Sequence, residues 1–280
     1  MKSKKYKILV LSNLKDSTET ILKSTVSLSK IVDSEIHLFC VKKPTDLVKS
    51  DNQLSAIKAL NSKLIDTDKK IQSLTKPYRD QYNVNLDYSF AFGNVKHEIN
   101  TVIKEYKPDI IVLGKRKARK ISLFGDSITQ FVLKNHDGAI LLAAEENAIE
   151  PNKHISLGLL NGLEETFNVE FANELLQHIQ KPMKSFKVIK ANQDIKREKI
   201  ASSENAIEYV FEQRDDAIQN LSNYLAKCKV NLLCIDRNQD HINREAGHVI
   251  ADIKRVINEF NVSILLTGEQ KPTIPYISKQ

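Results

Sequence analysis

The 280-residue chain has no tryptophan and is sparing with glycine (8), proline (7) and cysteine (3). Scarce glycine and proline exclude collagen-like and low-complexity architectures. Apolar (41%) and charged (28%) contents of ordinary size exclude disorder over most of the length. The three cysteines, Cys40, Cys228 and Cys234, are odd in number, and two lie within apolar strand-like runs. They read as reduced core residues, not as a disulfide framework or a zinc site. His241 and His248 are too far apart to be i, i+4 ligands on one helical face, so no metal centre is expected. No apolar segment approaches the ~20 residues that span a bilayer. The run Ile8 to Leu11 is too short for a secretory leader. These absences point to a cytoplasmic protein with no membrane partner. A net charge of +7 suggests nucleic acid, but the lysines are spread over helix faces and form one dense cluster only, Lys115 to Lys120. No nucleic-acid partner is expected.

What the chain does contain is repetition. Asp109 to Ala144 and Asn231 to Thr267 share one plan of buried strand, polar loop, amphipathic helix and second buried strand. The length accommodates two domains, each with its own core. The expected division is 1–146 and 152–280, joined through the polar stretch Glu145 to Asn152. In the first half, strand-like runs at Ile8–Leu11, Glu35–Val41, Val84–Phe92, Asp109–Gly114 and Ala139–Leu142 alternate with helical spacings. One helical stripe is Ile21, Leu22, Val26 and Val32. Another runs from Leu54 to Leu74 with Pro77 as its expected end, and a third is Val95, Ile99, Val102, Ile103 and Tyr106. Gly93-Asn94 reads as a turn.

Strands separated by helices of this size predict a parallel sheet covered on both faces, an α/β fold of two tandem doubly wound domains. The second copy reads as trimmed. It has strands at His154–Leu160, Phe186–Ile189 and Ile207–Phe211, helical spacing over Val169 to Ile179, and too few residues between Lys190 and Asn205 for a long helix.

In such sheets ligands bind beyond the carboxyl ends of the strands where strand order reverses. In the first half those loops are Ser12–Ser17 and Gly114–Ser127. A glycine at the strand end allows close backbone approach, and a following helix N-terminus offers N–H groups to an anion. Gly114, Gly125, Ser127 and Thr129, with the basic residues between, have the composition of a phosphate cradle; a solvated basic surface loop has it too. Helix N-capping is the expected role of Ser17 or Ser127, since no histidine is placed to activate either as a nucleophile. His37 reads as a sheet-face residue, Asp236 as a loop-stabilising one, and the stripe from Leu54 to Leu74 as core. No catalytic constellation emerges, and an enzyme is not expected.

Three segments carry a resemblance: Lys7-Ile-Leu-Val-Leu11 with its polar loop, Phe92-Gly-Asn-Val, and Lys107-Pro-Asp-Ile-Ile-Val-Leu-Gly114 with the helix and strand from Asp126 to Leu142. On these the chain resembles the universal stress protein family in its tandem two-domain form; in the second half only the spacing and Asn231 to Thr267 do so. The resemblance implies five-stranded parallel sheets of order 3-2-1-4-5 in an adenine-nucleotide α-hydrolase-like fold, and dimer formation. It also implies a family divided into members that bind ATP and members that do not. Nucleotide-binding members carry an Asp after the first strand and a pattern of Gly, two residues, Gly, nine residues, Gly and Ser or Thr. Here Gly114 and Ser127 are kept, while Lys117 replaces the second glycine. Asp126 stands at the third with Gly125 one place early, and Asn13 replaces the Asp. Asp126 would repel a phosphate unless turned away, and the loop is about one residue short. The candidate contacts for ATP, with Mg, are thus Asn13, Val41, Gly114, Lys117, Gly125, Ser127 and Thr129. The alternative is an interaction scaffold that binds no nucleotide and acts through protein partners. Related ATP-pyrophosphatases need a Ser-Gly-Gly loop after the first strand; Ser12–Ser17 has no glycine. The last strands, Ala139–Ala143 and Ser263–Thr267, are apolar edges that need a partner. They are expected to pair within the chain as a pseudo-dimer, with a homodimer and an unidentified protein partner as further expectations.

Overall fold

The computed structural model describes residues 5–15, 17–43, 53–115, 128–161, 171–189, 206–212, 214, 216–237 and 253–267. In the first half these form β1 (Tyr6–Ser12), α1 (Thr18–Ile31), β2 (Ser34–Lys42), α2 (Gln53–Tyr82), β3 (Leu86–Phe92), α3 (Val95–Tyr106), β4 (Ile110–Gly114), α4 (Ile128–Asn135) and β5 (Ala139–Ala143). The second half supplies β6 (Leu157–Leu160), α5 (Ala172–Gln177), β7 (Met183–Ile189), β8 (Ala206–Glu212), α6 (Ala217–Lys227), β9 (Leu232–Asp236), α7 (Ile253–Glu259) and β10 (Ser263–Thr267).

All of these strands join one ten-stranded sheet of order β3-β2-β1-β4-β5-β10-β9-β6-β7-β8. Each half therefore has the order 3-2-1-4-5, the second running back across the sheet. Pairing within a half is parallel. At the junction β5 and β10 are antiparallel, with Ile264 opposite Leu142, Leu265 opposite Leu141 and Leu266 opposite Ile140. The two apolar edges thus cover each other.

The apolar runs follow from burial on both faces. Side chains alternate across a strand, so Ile8, Val10, Ile110, Val112 and Leu141 face one layer with Ile21, Leu22 and Val26 of α1, Ile71 of α2 and Leu175 of α5. Leu9, Leu11, Ile111, Leu113 and Leu142 face the other, with Ile99 of α3, Val132 of α4, Leu221 of α6 and Val256 of α7. Each layer runs on through β10 and β9 into the second half, so the duplicated unit shares continuous cores.

The structure corrects several local expectations. Helix α2 does not end at Pro77 but continues to Tyr82. Proline deprives the Ser73 carbonyl of its donor, a cost that is smaller where the residues concerned face solvent, as Ser73 and Pro77 do. Tyr78, 9% exposed, holds the last turns to the core. Its hydroxyl donates to the Glu19 carbonyl at 3.1 Å, and its ring stacks on Tyr82. Gly93-Asn94 is more than a turn: Asn94 caps α3, its Oδ1 accepting from the backbone N–H of Lys96 and His97. The strand expected from His154 begins at Leu157, and Ile155 forms an isolated bridge with Ile179. Of the helix expected over Val169 to Ile179, Ala172–Gln177 is helical; Val169 and residues 190–205 lie outside the described residues.

The polar connection between the halves is tied down. Ile149 is buried, Ser27 Oγ donates to the Glu150 carbonyl at 3.2 Å, and Lys30 Nζ donates to Asn152 Oδ1 at 3.0 Å. No helix among the described residues is long and apolar enough to cross a membrane.

Candidate functional site

Strands β1 and β4 are neighbours in register, with Leu11 opposite Leu113. The order reverses between them, and the helices that follow pack on opposite faces of the sheet, α1 in one layer and α4 in the other, which is where ligands bind in sheets of this kind. Strand β2 lies on the other side of β1, with Cys40 opposite Ser12, so Val41 sits one residue past the partner of Ser12. The fold thus brings Asn13, Val41 and Gly114 to three adjoining strand ends. Thr129 is half-buried in the first turn of α4. Lys117, Gly125 and Ser127 lie outside the described residues, as does Asp126.

The loop after β1 is built on an unforeseen anchor. Leu14 has a left-handed backbone, φ 58°, and a side chain only 1% exposed. That conformation costs a non-glycine residue roughly 1–2 kcal/mol, which burial of a leucine, worth roughly 1.5–3 kcal/mol, offsets. Its one sequence signal was an isolated leucine in a polar loop. Ser12 Oγ accepts from the Leu14 N–H at 3.0 Å and lies 2.8 Å from Thr18 Oγ1. Asn13 Oδ1 accepts from the Lys15 N–H at 3.1 Å, so this oxygen is used in the turn.

Ser17 occupies the N-cap position of α1 but makes no side-chain capping bond, which corrects its expected role. Its own φ and ψ, −71° and −8°, are already helical, whereas a capping hydroxyl needs an extended backbone to turn back onto the first N–H groups. The hydroxyl lies instead beside Gly114: a Cβ added there would stand 3.6 Å from Ser17 Oγ. The same Cβ would meet Ile21 Cδ1 at 2.7 Å and Cγ1 at 3.1 Å. Glycine at the end of β4 is therefore what lets α1 pack onto the sheet, and the space it leaves is filled by Ile21.

Lys115, the first residue of the basic run, donates its backbone N–H to the Ala143 carbonyl at 2.8 Å. Its Nζ is buried and has no hydrogen-bond partner among the described residues. Burial alone pushes its pKa down to about 8. An amine so placed is not part of a solvated phosphate-neutralising surface.

Elsewhere, His37 on β2 lies 2.7 Å through Nε2 from Ser89 Oγ and rests against the Tyr106 ring. Burial lowers its pKa, with Asp87 and Glu35 acting the other way. At the end of β9, Asp236 is half-buried and in register with Thr267 of β10. No group of three or more His, Cys, Asp or Glu side chains suited to a metal ion occurs among the described residues.

These strand ends supply hydroxyl and amide groups from Ser12, Asn13 and Ser17. They fit an adenine nucleotide only in part: the Asn13 oxygen is committed to the turn, and the glycine cavity is occupied by Ile21.

Comparison with known proteins agrees with this architecture. The sequence profile of the universal stress protein family matches residues 6–144. A universal stress protein from Archaeoglobus fulgidus superposes with a TM-score of 0.66 at 14% identity, covering 95% of this chain and 98% of that one. A protein from Pseudomonas aeruginosa described as a candidate universal stress protein gives a TM-score of 0.53 at 12% identity, covering 94% and 92%. At these identities the structural likeness establishes the fold, and it extends over both halves. No curated protein sequence matches the chain.

Proposed function

Because residues 6–144 belong to the universal stress protein family, we propose that the chain is a non-catalytic, cytoplasmic stress-response protein whose first half keeps a degenerate adenine-nucleotide site. That site binds ATP weakly, and the second half completes the scaffold as the other member of an intrachain pseudo-dimer. One observation carries this reading: Asn13, Val41 and Gly114 stand together at three adjoining strand ends where the sheet order reverses. Asn13 in place of a carboxylate weakens the site, since an amide can hydrogen-bond a hydroxyl but brings no charge to a metal ion. Two buried thiols, Cys40 and Cys234, fit a reducing compartment.

A second reading, an interaction scaffold without nucleotide, is favoured by Gly114 itself. Its contact with Ile21 accounts for the glycine by helix packing alone. Nucleotide analysis of the denatured purified protein, followed by titration calorimetry with ATP, separates the two. Bound nucleotide or a saturable heat supports the first reading. Absence of both eliminates it and leaves the scaffold.

A further inference from the structure

Arg237 directly follows β9 in the second half, yet among the described residues four of the five backbone carbonyls bonded to its guanidinium belong to the first. Nε donates to Thr267 O at 3.0 Å, on its own half's last strand. Nη1 donates to His136 O at 2.9 Å and to Leu133 O at 3.4 Å, and Nη2 donates to Asp137 O at 3.0 Å and to Gly138 O. Leu133 lies in the last turn of α4, and His136 to Gly138 connect that helix to β5. Carbonyls at a helix C-terminus lack intrahelical partners and carry the negative end of the dipole. A cation bonded to them is a C-cap, here supplied by the other half of the chain. Five N–H groups in one planar fork make this possible, and lysine's three donors on a single nitrogen could not span the same set.

Lys115 occupies the corresponding place in the first half. Both residues follow the last residue of their half's fourth strand, and both donate a backbone N–H to the last strand of their own half, to Ala143 O at 2.8 Å and to Thr267 O at 3.4 Å. Lys115 Nζ, however, is buried without a hydrogen bond among the described residues. Among the described residues the side-chain grip runs in one direction, from second half to first.

We infer that Arg237 is a positioning residue for the first half's candidate site. By fixing the C-terminal end of α4, it sets the direction of a helix whose first turn carries Thr129. The helix is eight residues long, about 12 Å at 1.5 Å per residue, so tilting one end displaces the other. Its consequence for ligand binding rests on the nucleotide reading above; the grip on α4 does not.

The test compares Arg237→Met, Arg237→Lys and Lys115→Met in the full chain by amide hydrogen exchange and by ATP titration. Arg237→Met is expected to speed exchange in α4 by about tenfold or more, with α7 unchanged, and to weaken ATP binding by about fivefold or more. Arg237→Lys should fall between it and wild type, and it serves as the readable variant if the methionine protein does not fold. Lys115→Met should leave α7 exchange unchanged. Exchange in α4 that stays at the wild-type rate, or that rises equally in every helix, would overturn the inference. So would unchanged ATP affinity when wild type binds. If wild type binds no ATP, the nucleotide reading fails, and exchange in α4 still decides the role of Arg237.

Discussion

His136 links α4 to β5 and is 8% exposed. Burial, and next the Arg237 charge, push its pKa down to about 4. The folded state therefore prefers the neutral ring, while the unfolded chain takes a proton at the ordinary value near 6.5. The stability due to the neutral ring is full above about pH 6.5 and is lost as pH falls toward 4, by on the order of 3 kcal/mol. The corresponding residue between α7 and β10 is Phe260, buried in its own layer. Exchanging His136→Phe should accordingly flatten the acid limb of the stability profile between pH 6.5 and 4, read by urea unfolding at a series of pH values. An acid limb as steep as wild type would show that another group is responsible. Nothing in the sequence marked His136, because a histidine between a helix and a strand ordinarily reads as a surface polar residue. Leu14 was equally silent, since its left-handed backbone belongs to the loop and not to any pattern.

At the level of elements, the strands were legible because burial on both faces writes itself as continuous apolar runs, and α1 and α3 because their apolar stripes have helical spacing. The end of α2 was not, because proline's cost depends on which side of the helix it faces, and only the packed structure shows Ser73 and Pro77 toward water. The contact of α1 with β4 is the element-scale fact on which the candidate site turns. Replacing Gly114→Ala should cost about 1–3 kcal/mol by driving a Cβ into Ile21. Pairing it with Ile21→Val should recover part of that loss, a coupling that a double-mutant cycle of unfolding free energies would detect. Strict additivity would mean that the two side chains do not meet. Under the nucleotide reading the same cycle bears on function: a Gly114 variant should lose ATP affinity through α1 displacement and regain some of it when Ile21 is trimmed.

At the scale of the whole molecule, the pairing of the last strands was legible from their apolar composition, which no soluble edge would leave uncovered. The Arg237 contacts were not, because they join residues about a hundred positions apart across an antiparallel junction. A chain ending at Glu146 exposes β5 as an unpaired edge of five buried-type residues. It should associate into dimers or larger species in sedimentation or size-exclusion experiments, whereas a monodisperse monomer would show that β5 needs no cover. Within the full chain the cover is permanent, and it carries a freedom that two separate identical subunits lack. In a symmetric pair every substitution near the shared strands is made twice, so a residue good on one side must also be tolerated on the other. A fused pair breaks that obligation: arginine at 237 and lysine at 115 can be selected independently, so that one half can grip the other without being gripped in the same way.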